Sequence, residues 1–262
     1  MGLFDKKYCS ICGDKIGLLG NRKLEDGNCC KNCAAKLSYW FSERRHSTVE
    51  DIKGQLAYRE ANKAAVAAFH TTRSLGRNIK VLLDEDNRKF MVVRTSNLAK
   101  ENPDVLDYSQ VTGCDLDIKE DRDELTRKNS EGKSVSYNPP RYEYSYDFYV
   151  TIRVNNPYFD EIRFQLNSSS VRTGERSMGG AGANGWRVSS STIQLGLGAN
   201  DYYEYVNMGN EIREALSSAR QEVRDEVIAA NAPKTAKICP GCGASTVGDA
   251  NGRCEYCGCA LN

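Results

Sequence analysis

Tyr144-Ser145-Tyr146-Asp147-Phe148-Tyr149-Val150-Thr151-Ile152-Arg153-Val154 is the stretch on which the fold turns. Its even-numbered residues Tyr144, Tyr146, Phe148, Val150, Ile152 and Val154 share one face of an extended chain. Glu143, Ser145, Asp147, Tyr149, Thr151 and Arg153 share the other. A period of two predicts a strand with one buried and one wet face, in an antiparallel sheet. Asn155-Asn-Pro157 ends the run, and Ile162, Phe164 and Leu166 resume it in the reverse direction.

Working towards the N-terminus, Cys114, Leu116 and Ile118 alternate with Asp115, Asp117 and Lys119, which predicts another half-buried strand. Ile79–Leu83 and Lys89–Arg94 flank Asp84-Glu-Asp-Asn87, a hairpin pattern. Before them, Ser47-Thr-Val-Glu50 has the spacing of a capping box. Val49, Ile52 and Leu56 then mark one face of a helix reaching about Lys63, with Ala61–Ala68 able to extend it.

Towards the C-terminus, residues 168–198 lose the regular pattern, with Gly179-Gly-Ala-Gly182 and Ser189-Ser-Ser191 around Trp186. A long loop anchored by Trp186 is expected, with Ile193 and Leu195 available as a short edge strand; binding residues often sit on such loops. Tyr205, Met208, Ile212, Leu216, Ala219, Val223 and Val227 recur at three- and four-residue steps, predicting a long helix whose last turns run past the core. Asp201 suits its N-terminal end.

Ten of the 11 cysteines lie near the two ends. Cys9-Ser-Ile-Cys12-Gly13 is followed by Cys30-Lys-Asn-Cys33, and Cys239-Pro-Gly-Cys242-Gly243 by Cys254-Glu-Tyr-Cys257-Gly258. Two intervening residues let both sulfurs of a knuckle reach one ion at about 2.3 Å, and two knuckles complete a tetrahedron. The pattern predicts two Zn²⁺ sites: Cys9, Cys12, Cys30 and Cys33, then Cys239, Cys242, Cys254 and Cys257. Gly13, Gly243 and Gly258 suit turns of positive φ, whereas Cys33 is followed by Ala34. Cys29 and Cys114 read as packing residues, and Cys259 is close enough to replace Cys257. Four thiolates leave no open coordination position, so both sites are expected to be structural rather than catalytic.

Composition narrows the function classes. With 262 residues, 40% hydrophobic and 27% charged, the chain reads as globular. No window nears the roughly 18 apolar residues of a membrane-spanning helix. Met1-Gly-Leu-Phe-Asp-Lys-Lys7 lacks a signal-peptide core, and Lys6 stands where a myristoylation motif wants Ser or Thr. Net charge is +1, falling to about −3 with eight thiolates and two Zn²⁺. Residues 1–45 hold nine Lys and Arg against five acids, far from the dense basic field of a typical phosphate-backbone binder. Of the two histidines, His46 sits among Arg44, Arg45 and Ser47 and His70 follows Phe69; neither belongs to a catalytic motif.

A bent antiparallel β-barrel or sheet, its open end plugged by a long C-terminal helix, is the pleckstrin-homology-like plan, an α+β fold. The expected organisation is a zinc ribbon over 1–45, a connecting helix over 46–68, a pleckstrin-homology-like domain over 69–231 with a Gly-rich insertion at about 168–198, and a second ribbon over 232–262. Cys9-x-x-Cys12-Gly13, Ile16-Gly-Leu-Leu19, Lys23-Leu24-x-Asp26-Gly27 and Cys30-x-x-Cys33 resemble an N-terminal zinc-ribbon family of bacterial proteins known only as a domain of unknown function. Phe69-x-Thr-Thr72 and Val81-Leu-Leu-Asp84 are similar to the pleckstrin-like region often attached to it. The resemblance implies a bacterial source and a cytoplasmic home, without an activity.

The expected function is a non-enzymatic adaptor binding protein partners, with Trp186 and its Gly-rich surroundings as one candidate surface. Nucleic-acid binding through Lys15, Arg22, Lys23 and Lys31 is the alternative. Lipid headgroups are a further option for the pleckstrin-like region, against which Asp84, Glu85 and Asp86 place negative charge at the first hairpin loop.

Overall fold

The computed structural model describes residues 6–174, 199–231, 236–249 and 251–261. The chain divides into two compact units, 1–220 and 221–262. Trp186, Ile193, Leu195 and the Gly-rich run all lie outside the described residues.

The first unit starts with two small hairpins. β1 (Lys7–Tyr8) pairs with β2 (Lys15–Ile16), and β3 (Asn21–Lys23) with β4 (Asn28–Cys30), which leads directly into the one-turn helix α1 (Lys31–Ala34). Pairing so short stores little energy, and the segment has a compact core instead. Leu24, Cys29 and Ile16 are buried there with Ile52, which comes from the next helix.

That helix, α2 (Val49–Ala68), starts one residue later than Ser47-x-x-Glu50 predicts. Thr48 is the N-cap: its Oγ1 accepts from Asp51 N at 3.2 Å, and Asp51 Oδ2 accepts from Thr48 N at 2.9 Å. Ser47 is buried and turned away, its Oγ donating to Glu43 O at 2.9 Å. The reason for the shift lies upstream. Asp26 Oδ1 accepts from Val49 N at 2.7 Å and Ser47 O accepts from Glu25 N, so the 24–27 turn sets where the helix begins. At the other end, Phe69 caps α2 in extended conformation and packs beside Leu82, Met91 and Val93.

β5 (Arg73–Gly76), β6 (Lys80–Asp84) and β7 (Lys89–Val93) form the expected hairpin with one extra strand; α3 (Leu98–Glu101) and β8 (Leu106–Asp107) complete a sheet of order β5-β6-β7-β8. Val81–Asp84 and Phe90–Val93 are buried at every position, so both faces of these strands are covered. One face meets Phe69, Leu98 and Val105.

The second sheet is built on β10 (Ser134–Val154). β9 (Val111–Lys128) pairs with it with register shifts between Ser136 and Arg141 and between Arg153 and Val154, while β11 (Glu161–Gln165) and β12 (Val171–Gly174) share the other edge at Tyr149–Arg153 and Glu143–Tyr146. Tyr146, Phe148, Val150, Ile152 and Val154 are buried on the predicted face, together with Ile162, Phe164 and Leu166. The opposite face carries Arg163 against Asp117 at 2.7 Å and over the Tyr149 ring. β12 replaces part of the loop expected from 168: Val171 and Thr173 are buried against β10. Both four-stranded sheets are antiparallel, and neither closes into a barrel among the described residues.

The long helix α4 (Ala199–Asn231) carries Asp201 in its first turn. Within the first unit, Tyr205 stacks on Phe148 and Tyr202 meets it edge-on, and Ile212, Leu216 and Ala219 are buried. Arg73 of β5 reaches Glu211 at 3.0 Å. In the second unit Val227 is 55% and Ile228 63% exposed. Beyond it, β13 (Lys237–Ile238) and β14 (Ser245–Thr246) form another two-residue hairpin. Among the described residues, no helix is long and apolar enough to cross a membrane.

Candidate metal centres

Each four-cysteine segment begins with a hairpin whose turn is a knuckle. Cys9 N donates to Asp14 O and Gly13 N to Cys9 O, both at 2.8 Å; Cys239 N donates to Ala244 O and Gly243 N to Cys239 O at the same distances. Cys254 N to Cys259 O and Gly258 N to Cys254 O repeat the pattern a third time. The closing residue of all three lies at positive φ, +78° at Gly13, +73° at Gly243 and +72° at Gly258, where a Cβ would be strained. The fourth pair differs because it is no knuckle. Cys30 caps α1, its Sγ accepting from Cys33 N at 3.4 Å, and Ala34 continues the helical turn, where glycine brings no advantage.

These turns bring the predicted sulfurs together. Cys9, Cys12, Cys30 and Cys33 form one group and Cys239, Cys242, Cys254 and Cys257 another, with the sulfurs of each group within 4.8 Å of one another. Cys12 Sγ lies 3.8 Å from Cys30 Sγ, Cys242 Sγ 3.7 Å from Cys254 Sγ, and Cys239 Sγ 3.4 Å from Cys257 Sγ. A tetrahedron with zinc–sulfur bonds of about 2.3 Å has edges of about 3.8 Å. Disulfides need about 2.05 Å, and all the cysteines are free. Each set can therefore hold a tetrahedral metal ion, and its donor chemistry suits zinc.

Electrostatics point the same way. Burial pushes the Cys9 thiol up, but backbone N–H groups of Cys12, Cys30 and Ile11 outweigh it and bring Cys9 down to about 6. N–H donation from Cys242, against burial and with Gly241 adding, brings Cys239 to about 6 as well. Burial and neighbouring sulfurs raise Cys33. Cys257 also rises, because its contacts to Cys239 and Cys242 outweigh the Cys259 backbone N–H. The backbone therefore favours a thiolate at Cys9 and at Cys239, whereas Cys33 and Cys257 need a cation to offset the repulsion of their neighbours.

The remaining cysteines behave as packing residues. Burial pushes Cys29 up to about 11 and Cys114 to about 12, away from nucleophilic character. Cys259 is exposed, with its Sγ beside Gly241, while Cys257 is the residue that joins the four-sulfur group.

A further constellation was not foreseen from the residue pattern. His70 Nδ1 is 3.0 Å from Asp86 Oδ2, and buried Asp84 lies with them. Asp84 is already engaged, accepting from His70 N at 2.9 Å, Asn87 N at 3.0 Å and Asn87 Nδ2. This arrangement closes the β6–β7 turn against the end of α2. His46 is exposed. A local signal for the His70 contact existed in Asp84-x-Asp86-Asn87, but not its partner fourteen residues upstream.

Of the four candidate cations near the first cysteine group, Lys15, Arg22 and Lys31 line two hollows, Lys31 lining both. Arg22, Lys31 and Arg44 line one of about 400 Å³ floored by Ala34, Ala35, Leu37 and Phe41. Lys15 and Lys31 line another of about 510 Å³ beside Leu18 and Leu19. Lys23 is exposed, and its carbonyl accepts from Arg44 Nη1.

No curated protein and no solved structure matches the chain. Residues 7–55 match the family model described as Domain of unknown function (DUF4428), a span that holds the first four-cysteine group and ends just past Ile52, the helix residue completing that group's core.

Proposed function

We propose that this chain is a non-enzymatic adaptor of the cytoplasm, in which a pleckstrin-homology-like platform carries a zinc ribbon at each end and binds protein partners. The observation that carries this reading is the closure of both metal centres: four sulfurs in each fill a tetrahedron, so zinc stiffens a presented surface and has no position for substrate. Two four-stranded antiparallel sheets, with the long helix α4 following them in the chain, support the pleckstrin-like platform. Each ribbon also exposes large apolar side chains, Tyr8 in the first and Ile238 and Tyr256 in the second, of the kind that contact partners.

The test has two stages. Elemental measurement on purified protein is expected to return two zinc per chain, and a metal-free, disulfide-linked product would refute the reading. Affinity capture from the native cell then compares the intact chain with Cys9→Ser and Cys239→Ser forms. Partners that rebind as purified proteins to the intact chain, and lose binding on ribbon disruption, are the expected result. Turnover of a substrate by the intact chain would contradict it.

A second reading, nucleic-acid binding, is favoured by one feature: the hollow lined by Arg22, Lys31 and Arg44 has no acidic residue in its wall. Binding driven by phosphates weakens steeply with salt. Lack of any association with DNA or RNA at low salt would dispose of it.

A further inference from the structure

Ile16-Gly-Leu-Leu19 is only partly used by the ribbon. Ile16 is buried in the ribbon core, but Leu18 is 90% and Leu19 88% exposed. They sit at the tip of a turn closed by Gly20 N donating to Gly17 O at 2.9 Å. Two adjacent leucines held outward in this way leave their side chains in water, and their hydration is unfavourable by the ordinary hydrophobic effect.

The surroundings of the tip are basic. Arg22 Nη1 donates to Leu19 O at 3.2 Å, which places a guanidinium directly under the turn. Lys15 and Lys31 line the hollow behind the leucines, where Asp14 is the one acidic residue. Even after the −2 of a zinc tetrathiolate, residues 1–45 keep a charge of about +2.

We propose that the Leu18–Leu19 turn is a membrane-contacting tip, which enters the headgroup region of an anionic bilayer while Lys15, Arg22 and Lys31 face the lipid charge. A convex apolar tip with a cationic collar combines the two attractions that hold peripheral proteins at such surfaces, apolar insertion and charge. A groove on a protein partner would satisfy the leucines equally, but it would not call for three cations around them. A metal ion on Cys9, Cys12, Cys30 and Cys33 would stiffen the base of the tip, because Cys9 and Cys12 lie in the turn that joins β1 to β2, and Cys30 and Cys33 lie at and within α1. This site is separate from the acidic β6–β7 loop, which argues against lipid binding there.

Sedimentation of the full zinc-loaded chain with vesicles tests the proposal. Vesicles of equal parts phosphatidylserine and phosphatidylcholine are expected to retain the protein at low salt, and pure phosphatidylcholine vesicles to retain far less. Leu18→Ser with Leu19→Ser should weaken retention about tenfold, and Lys15→Gln with Lys31→Gln should weaken it and flatten its salt dependence. All four residues are exposed, and unchanged zinc content verifies that the variants are folded. Failure of the native chain to bind the anionic vesicles overturns the proposal. So does full binding by the leucine variant, and in either case the tip is left as a protein contact.

Discussion

Gln55 is fully buried in α2, and neither its amide nitrogen nor its oxygen has a partner among the described residues. Burying an amide without hydrogen bonds costs roughly 1–3 kcal/mol, so Gln55→Met, close in volume, should stabilise the fold by about 1 kcal/mol. Urea denaturation provides the measurement; a destabilised variant would mean that the amide is satisfied after all. Asp84 is the opposite case. Burial alone would raise its carboxyl, but N–H groups of His70 and Asn87 hold it below the usual carboxylate range. A folded pKa below the unfolded one gives stability that is present above the ordinary carboxylate range and lost as pH falls through the depressed value. The stability advantage of the native chain over Asp84→Asn should therefore shrink in acid, as a series of denaturation curves at falling pH would show.

At the level of elements, α2 is the instructive one. Two separate acceptors, Thr48 Oγ1 and Asp26 Oδ1, satisfy amides of its first turn, one local and one from 23 residues upstream. Loss of a helix cap costs about 1 kcal/mol. Thr48→Ala and Asp26→Ala should each lower stability by about that amount, and Asp26→Ala should also loosen the ribbon, measured as faster amide exchange at Leu24 and Cys29. Equal exchange in native and variant chains would sever the proposed link between turn and helix. Glycine at position 27 belongs to the same junction, since a Cβ there would come within 2.7 Å of both Ser10 Oγ and a Val49 methyl. The Leu24-x-Asp26-Gly27 motif is thereby explained residue by residue: a core side chain, a cap, and room for the helix to approach.

Across the whole molecule, the two four-cysteine segments differ in what would hold them beside a metal ion. The first shares a core with Ile52 and is followed by a buried network in which Arg59 pairs with Asp104 at 2.8 Å and Ser38 Oγ donates to the same carboxylate at 2.7 Å. In the second, over the described residues 236–261, only Cys239, Thr246 and Cys254 are buried. Such a module has no core except its metal site. Chelation should thus release all amide protection in the second ribbon, lower it partly in the first, and leave the two sheets protected. Hydrogen exchange with and without a chelator reads this directly, and lasting protection at Cys239 and Cys254 after metal removal would contradict it.

Much of this arrangement is legible in the residues alone. Eight sulfurs with their closing glycines, the alternation from Tyr144 to Val154 and the stripe on α4 all follow from spacing within a few residues, where bond geometry and the periods of strand and helix set the outcome. Other features required the folded chain. Asp26 moves the start of α2 past Ser47, β12 takes up an edge of β10 that the irregular composition after 168 conceals, and Arg59 finds Asp104 from 45 residues away. The same holds for Ile16 and Leu19, apolar neighbours in one motif, of which one is buried and the other stands in water. Spacing declares which side chains can act together. Burial depends on which distant segment arrives to cover them, and that is settled only when the chain closes on itself.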